Sequence, residues 1–223
     1  MLLEIACFNL ESGFVAQKAG ANRIEFCQNY SEGGITPSKN FIQEARTKIN
    51  IELYVMMRPH SNNFIYTVEE FIQMQESIVF CKENKCDGFV FGILNELGEI
   101  DKERCKKLVE LAKPLPCTFH RAFDECKNPE KSLEDVIACG FKRILTSGAN
   151  KDALEGASNI KNLITQAKNR IVILPGGGIR STNISEIIKL SGANEFHTSA
   201  ITNNSEIANE LEIKSILNIL QKY

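Results

Sequence analysis

Gly20-Ala-Asn-Arg-Ile-Glu-Phe (residues 20–26) recurs in outline as Cys139-Gly-Phe-Lys-Arg-Ile-Leu (139–145) and Gly192-Ala-Asn-Glu-Phe-His (192–197). Each copy puts a glycine just past a helix, where the left-handed cap conformation is needed, and then hops into a short strand. Cys86-Asp-Gly-Phe-Val-Phe is a looser copy. Working outward, the apolar runs predict strands at Leu2–Cys7, Arg23–Cys27, Ile51–Met57, Gly88–Phe91, Pro116–His120, Arg143–Thr146, Ile171–Leu174 and Glu195–His197. Their starts lie about 21–37 residues apart, the length of a strand–helix unit. Helical patterns fall between them, as at Ser12–Ala19, Val68–Glu83, Lys102–Ala112 and Ser185–Leu190, and a last helix is expected over about 205–222. Continuous alternation predicts a parallel α/β sheet, and eight units predict closure into one (β/α)8 TIM-type barrel, a single domain over residues 1–223. An open doubly wound sheet would carry Gly-x-Gly-x-x-Gly after its first strand; Asn9-Leu-Glu-Ser-Gly does not.

Composition agrees with a globular enzyme or binding protein. Of 223 residues, 43% are hydrophobic and 24% charged, enough for a core. The formal charge of −2 comes from 26 basic and 28 acidic residues mixed along the chain, so no basic stripe points to nucleic acid. No apolar run is long enough for a bilayer, and Met1-Leu-Leu-Glu-Ile-Ala-Cys-Phe reads as a strand rather than a signal segment; a soluble, cytoplasmic protein is expected. The eight cysteines, at 7, 27, 81, 86, 105, 117, 126 and 139, form no Cys-x-x-Cys pair and are expected to be reduced and buried. No organic cofactor is evident. The expected partner is a metal ion or a small anionic ligand, and the helical exterior could support a homodimer.

Side-chain direction follows from period two. In a barrel sheathed by helices, a charged strand residue must face the lumen or its mouth. Glu4 is the intruder in the first strand. Arg23, Glu25 and Cys27 share a face in the second, Glu52, Tyr54, Met56 and Arg58 in the third, Thr118 and His120 in the fifth, and Glu195, His197 and Ser199 in the eighth. Working sites of this fold lie at the carboxyl ends of strands, where Glu25, Arg58, His120 and His197 fall, with Glu4 deeper. Carboxylates beside imidazoles form a candidate acid–base set, with Asp124 four residues beyond His120; the alternative is a self-neutralising network that fills the lumen. Strand seven ends in Pro175-Gly-Gly-Gly-Ile. The Gly176, Gly177 and Gly178 amides, with Ser199, are candidate anion donors, and a helix capped by Asn183 and Glu186 would add its dipole. Arg58, Arg121 and Ser147, in Thr146-Ser-Gly-Ala, extend that rim; Arg121 is expected to pair with Asp124, and either could orient His120. The loop Ser31-Glu-Gly-Gly-Ile-Thr-Pro-Ser is placed to cover the pocket.

Glu4-Ile-Ala-Cys, Arg23-Ile-Glu-Phe-Cys, Ser31-Glu-Gly-Gly-Ile-Thr-Pro-Ser, Met57-Arg-Pro, Thr118-Phe-His-Arg-Ala-Phe-Asp, Arg143-Ile-Leu-Thr-Ser-Gly, Pro175-Gly-Gly-Gly-Ile and Glu195-Phe-His-Thr-Ser-Ala together resemble the CutC family in order and spacing, from Leu3 to Ala200. The resemblance implies a cytoplasmic barrel associated with copper homeostasis, with Cys7 and Cys27 matching the proposed Cu(I) ligands. The sequence departs from the family at His60, where a second arginine is common, and at Thr198, where some relatives place a cysteine. An unbroken first strand would send Cys7 to the helices; only a bend near Ala6 brings it to the lumen with Cys27. Two readings stay open: a Cu(I)-binding protein without turnover, or an enzyme doing acid–base chemistry on an anionic, perhaps phosphorylated, small molecule.

Overall fold

The computed structural model describes residues 1–202 and 205–223. Eight strands alternate with eight helices: β1 Leu2–Cys7, α1 Leu10–Ala19, β2 Arg23–Phe26, α2 Lys39–Lys48, β3 Glu52–Met56, α3 Val68–Glu83, β4 Gly88–Phe91 and α4 Lys102–Ala112. The second half runs β5 Cys117–Phe119, α5 Pro129–Cys139, β6 Arg143–Thr146, α6 Ala157–Ala167, β7 Val172–Pro175, α7 Ile184–Ser191, β8 Glu195–Thr198 and α8 Glu210–Leu220. All strand pairs are parallel, in the order β7-β6-β5-β4-β3-β2-β1-β8. β7 and β8 then lie side by side and nearly close the ring.

The repeated glycine does what its position demands. Gly20, Gly140 and Gly192 end α1, α5 and α7 at φ of 94°, 92° and 73°, a region open to glycine and costly for other residues. The last helix begins at Glu210 rather than near 205, because Asn209 caps it through Glu212 N and Ala208 just before it is engaged in a bridge with Ile201. α7 also departs from expectation. The Asn183 side chain accepts from Arg180 N instead of capping the helix, and the carboxylate of Glu212 takes Ser181 N and Oγ. The glycine bend therefore stands several residues before α7, and a side chain of α8 already receives the amide just ahead of that helix.

Period two sorts the barrel wall as the chemistry requires. Leu3, Ile5, Ile24, Phe26, Leu53, Val55, Phe89, Phe91, Phe119 and Ile144 face the helices and are fully buried. Burial of each such side chain contributes about 1.5–3 kcal/mol. Inside, Cys27, Tyr54, Met56 and Val90 form a separate small cluster. Beneath it lies a charged floor. Arg23, fully buried, is paired with Glu4 and with Glu195 at 2.8 Å, and its guanidinium lies 4.9 Å from the Tyr54 ring centroid. Arg143 reaches Glu195 at 2.9 Å and the Tyr54 hydroxyl at 3.1 Å.

Gly88 makes room for this floor, since a Cβ there would approach the Tyr54 ring to 2.6 Å. Gly88→Ala should therefore cost about 1–3 kcal/mol by overpacking, a fall in Tm of about 2–12 °C for a chain this long. A thermal melt that does not move would mean that the Tyr54 layer is loosely packed.

Candidate functional site

Above the floor, at the carboxyl ends of the strands, opens a cavity of about 380 Å3. Of the expected site residues, Glu25, Arg58, His120, Arg121, Gly177, Gly178, His197 and Ser199 line it. Met56 joins them from the lumen face expected for the third strand, and Arg180, Phe64, Phe8 and Tyr30 join without having been anticipated. Arg180 carried a positional signal, standing two residues past the glycine bend. Phe64 carried none; it reaches the cavity because it packs on His120, with ring centroids 4.8 Å apart, and under Arg58.

Glu4 sits just below as an electrostatic anchor. Burial alone would raise its carboxyl, but Arg23 and then a hydrogen bond from His197 hold it down at about 2. An ionised Glu4 can only accept, so His197 Nδ1, 2.7 Å from Glu4 Oε1, must donate. The other ring nitrogen, Nε2, faces Glu25 Oε2 at 3.7 Å. Burial pushes the Glu25 carboxyl up, His197 pulls it back in part, and it settles at about 7. Burial likewise opposes charge on His197, yet Glu25 and Glu4 outweigh it and raise the imidazole above its ordinary value. Glu25 and His197 thus both titrate above their ordinary values, and each feels the charge of the other across 3.7 Å. Glu25 Oε1 is buried with no hydrogen-bond partner among the described residues.

His120 is tuned in the opposite direction. Burial first and Arg58 second lower its imidazole to about 3. Its Nδ1 accepts from Ala122 N at 3.2 Å, and Nε2 is buried without a partner. Neither Arg121 nor Asp124 orients this ring; the backbone does. Arg121 does pair with Asp124, at 2.7 Å. Asp124 itself brackets two loops, accepting from Thr146 Oγ1, from Ser147 N at 3.1 Å and from Ala149 N at 3.1 Å. Ser147 Oγ receives Arg121 Nη2 at 2.8 Å. Asp124 and Ser147 therefore lie behind the cavity wall and position Arg121. Gly176 is also behind it, where a Cβ would strike Leu145 at 2.4 Å and His197 at 3.2 Å.

Arg58 holds the cover rather than standing free. Nη1 donates to Gly34 O at 3.0 Å and Glu32 O at 3.2 Å, and Nη2 to Ser61 O at 2.9 Å, which leaves only Nε without an acceptor. The 31–38 loop is thereby pinned over the pocket. His60 turns away, with Nε2 3.4 Å from Glu70.

The thiols divide. β1 runs unbroken to Cys7, which packs with Leu3 and Ile5 on the helix side, whereas Cys27 packs inside with Met56. Cys27 Sγ lies 3.8 Å from Glu25 Oε2. Burial, then nearby carboxylates, pushes both thiols well up. All eight cysteines are free and buried. Among the described residues, the group whose ligand atoms converge for a metal is Glu4, Glu25 and His197, within 4.8 Å of one another.

The raised Glu25 and His197 set a sign for stability against pH. A folded carboxyl at about 7, against an ordinary 4.5, binds its proton more tightly than the unfolded chain does, so stability declines as pH rises between those values. The raised His197 acts in the same direction, its contribution being full below its ordinary 6.5 and lost above its folded value. Glu25→Gln should flatten this decline. Urea denaturation at several pH values checks it, and a constant stability difference between the two proteins from pH 4.5 to 7 would count against the assignment.

The same chain can be set beside known proteins. Residues 1–202 match the family model described as the CutC family. A human relative named copper homeostasis protein cutC homolog is 47% identical over 199 residues, 89% of this chain and 73% of the relative. A CutC family protein of Chromobacterium violaceum is 43% identical over 199 residues, 89% of this chain and 81% of that one. A crystal structure of a CutC protein from Streptococcus agalactiae superposes with a TM-score of 0.85 at 35% identity, covering 91% of this chain and all of that one. Phosphoribosylanthranilate isomerase of Thermotoga maritima shares the fold alone, with a TM-score of 0.67 at 15% identity over both whole chains. Sequence match, identity and superposition agree along nearly the full barrel, and the chain belongs to the CutC family.

Proposed function

We propose that the chain serves copper homeostasis, the role its human relative is named for, through a rim pocket that binds a small anionic molecule and transfers a proton to or from it. Glu25 is the acid–base group, His197 the neighbouring charge that tunes it, and Glu4 the residue that keeps His197 oriented. The observation that carries this reading is Glu25 itself: a buried carboxyl on the cavity wall, with one oxygen unpartnered and its pKa brought to about 7. Groups poised near neutrality are suited to general acid–base work. The anion is received by Arg121 with the Gly177 and Gly178 amides and Ser199. The eight free cysteines fit a reducing compartment, and the cytoplasm is the proposed location.

Calorimetric titration with inorganic phosphate tests the anion site. Binding is expected, and Arg121→Ala should weaken it about tenfold or more, the loss of one charge-assisted hydrogen bond. Equal binding by both proteins would remove Arg121 from the site.

Cu(I) binding is the second reading, favoured by the soft sulfurs of Cys27 and Met56 meeting in one lumen cluster. On this geometry Cys27 is the principal ligand and Cys7, on the far face of the wall, is secondary. Anaerobic Cu(I) titration against a competing chelator should show a loss of affinity in Cys27→Ser and a smaller one in Cys7→Ser. Undiminished Cu(I) affinity in the double variant would end the copper-binding reading.

A further inference from the structure

We infer, building on the anion-pocket reading above, that the ligand is a small phosphorylated carbonyl compound and that the pocket moves a proton between the carbon beside the carbonyl and Glu25, while His120 Nε2–H holds the carbonyl oxygen.

The inference starts from His120. A neutral imidazole has one N–H and one lone pair. Its Nδ1 accepts from Ala122 N, so the proton resides on Nε2. That N–H is on the cavity wall, buried, and without a protein acceptor among the described residues. The ring is fixed by Phe64 on one side, by Phe119 edge-on at 6.1 Å, and by Gly92, where a Cβ would come within 2.8 Å of Nδ1. A buried donor without a partner is costly; a ligand oxygen would satisfy it. Because Arg58 and burial keep the ring from accepting a second proton, it is a hydrogen-bond donor rather than a strong acid. That suits an oxygen that gains negative charge and then gives it back.

The second pole is Glu25 Oε1, also buried and unpartnered, on the same cavity wall. Glu4 cannot take its place, since Arg23 and His197 occupy both of its oxygens. The third pole lies at the bend after β7. Among the described residues the N–H groups of Gly177 and Gly178 have no protein acceptor. A Cβ on Gly177 would come within 3.1 Å of Arg121 Nη1, so the guanidinium lies against this bend, and both line the same cavity. A phosphate suits these donors, and the rest of a cavity of about 380 Å3 leaves room for a chain of a few carbons over Ala6, Met56 and Leu145.

The step balances within the ligand. Glu25 carboxylate takes the proton from the carbon next to the carbonyl. The C–H electron pair becomes a C=C bond, and the carbonyl π pair moves to oxygen, which accepts the hydrogen bond from His120 Nε2–H. If that neighbouring carbon bears a hydroxyl, its O–H proton passes to the former carbonyl oxygen and Glu25 returns its own proton to the former carbonyl carbon. Carbonyl and hydroxyl exchange places, and no oxidant or reductant takes part.

Dihydroxyacetone phosphate and ribulose 5-phosphate in D2O, followed by proton NMR, provide the test, with inorganic phosphate titrated in parallel. The expected result is protein-dependent loss of the carbon-bound proton signal beside the carbonyl in at least one probe. The rate should fall at least a hundredfold in Glu25→Gln and at least tenfold in His120→Gln, with circular dichroism guarding against misfolding. Phosphate binding without exchange in either probe would overturn the inference and leave the anion pocket standing. Exchange that survives Glu25→Gln would overturn it as well. Absence of phosphate binding would remove the anion pocket and the inference together.

Discussion

The buried pair of Glu4 and Arg23 is the constraint from which the rest of the lumen follows. Two charges with no solvent exposure are costly unless they are paired. Arg23 accordingly contacts Glu4, Glu195 and the Tyr54 ring, with Nη1 3.7 Å from Glu52 and without a hydrogen bond among the described residues, and Glu195 passes the interaction on to Arg143. With Glu4 locked as an acceptor, His197 must present N–H to it and turn its other nitrogen to Glu25. The placing of His197 Nε2 against Glu25 is thus a consequence of a salt bridge one layer below. Across the lumen no carboxylate among the described residues approaches His120, and Arg58 stands there instead. The two histidines are therefore driven apart, one toward charge and one away from it. Titratable groups separated in this way by their surroundings mark the division of labour in an acid–base site.

The rim is built to hold those groups still. Arg58 ties the loops after β2 and β3 together through backbone carbonyls, and Asp124 ties the loop after β5 to the loop after β6. These two charged residues contribute to any chemistry mainly by fixing Phe64, Arg121 and the pocket cover. A pocket prepared before the ligand arrives loses less in ordering it. Copper sits less easily in this arrangement. The hard carboxylate of Glu25 and the borderline imidazole of His197 lie in the lumen with Cys27, but Cys7 lies behind the wall, so the two thiols do not face each other.

Much of this was legible in the sequence. Charged residues inside apolar strands are expensive unless they face inward, so parity alone gathered Glu4, Arg23, Glu25, His120 and His197 into one lumen, and it gave Cys7 its outward direction in an unbroken β1. The boundaries of β1, β4, β6, α3 and α4 also follow from the apolar pattern. What parity could not reveal was the use made of loop side chains. The acceptors of Arg58 are carbonyls of Glu32, Gly34 and Ser61, and those of Arg180 include Ile179 and Ile201. Every residue has a carbonyl, so sequence carries no mark of which ones a guanidinium will find. For the same reason Asp124 read as chemistry when it is a bracket. Asn183 and Glu186 read as a helix cap because they have its spacing, yet Asn183 receives Arg180 N instead, and the carboxylate that receives Ser181 comes from Glu212 on a distant helix.

The opposed tuning of the two lumen histidines can be seen directly. The chain has three histidines, few enough for each imidazole to be followed by long-range proton–nitrogen NMR across a pH series. The account predicts that His120 stays neutral, with its proton on Nε2, well below pH 6, while His197 carries both protons at pH 6.5. Two rings titrating together near the ordinary value of 6.5, or a His120 protonated on Nδ1, would contradict it.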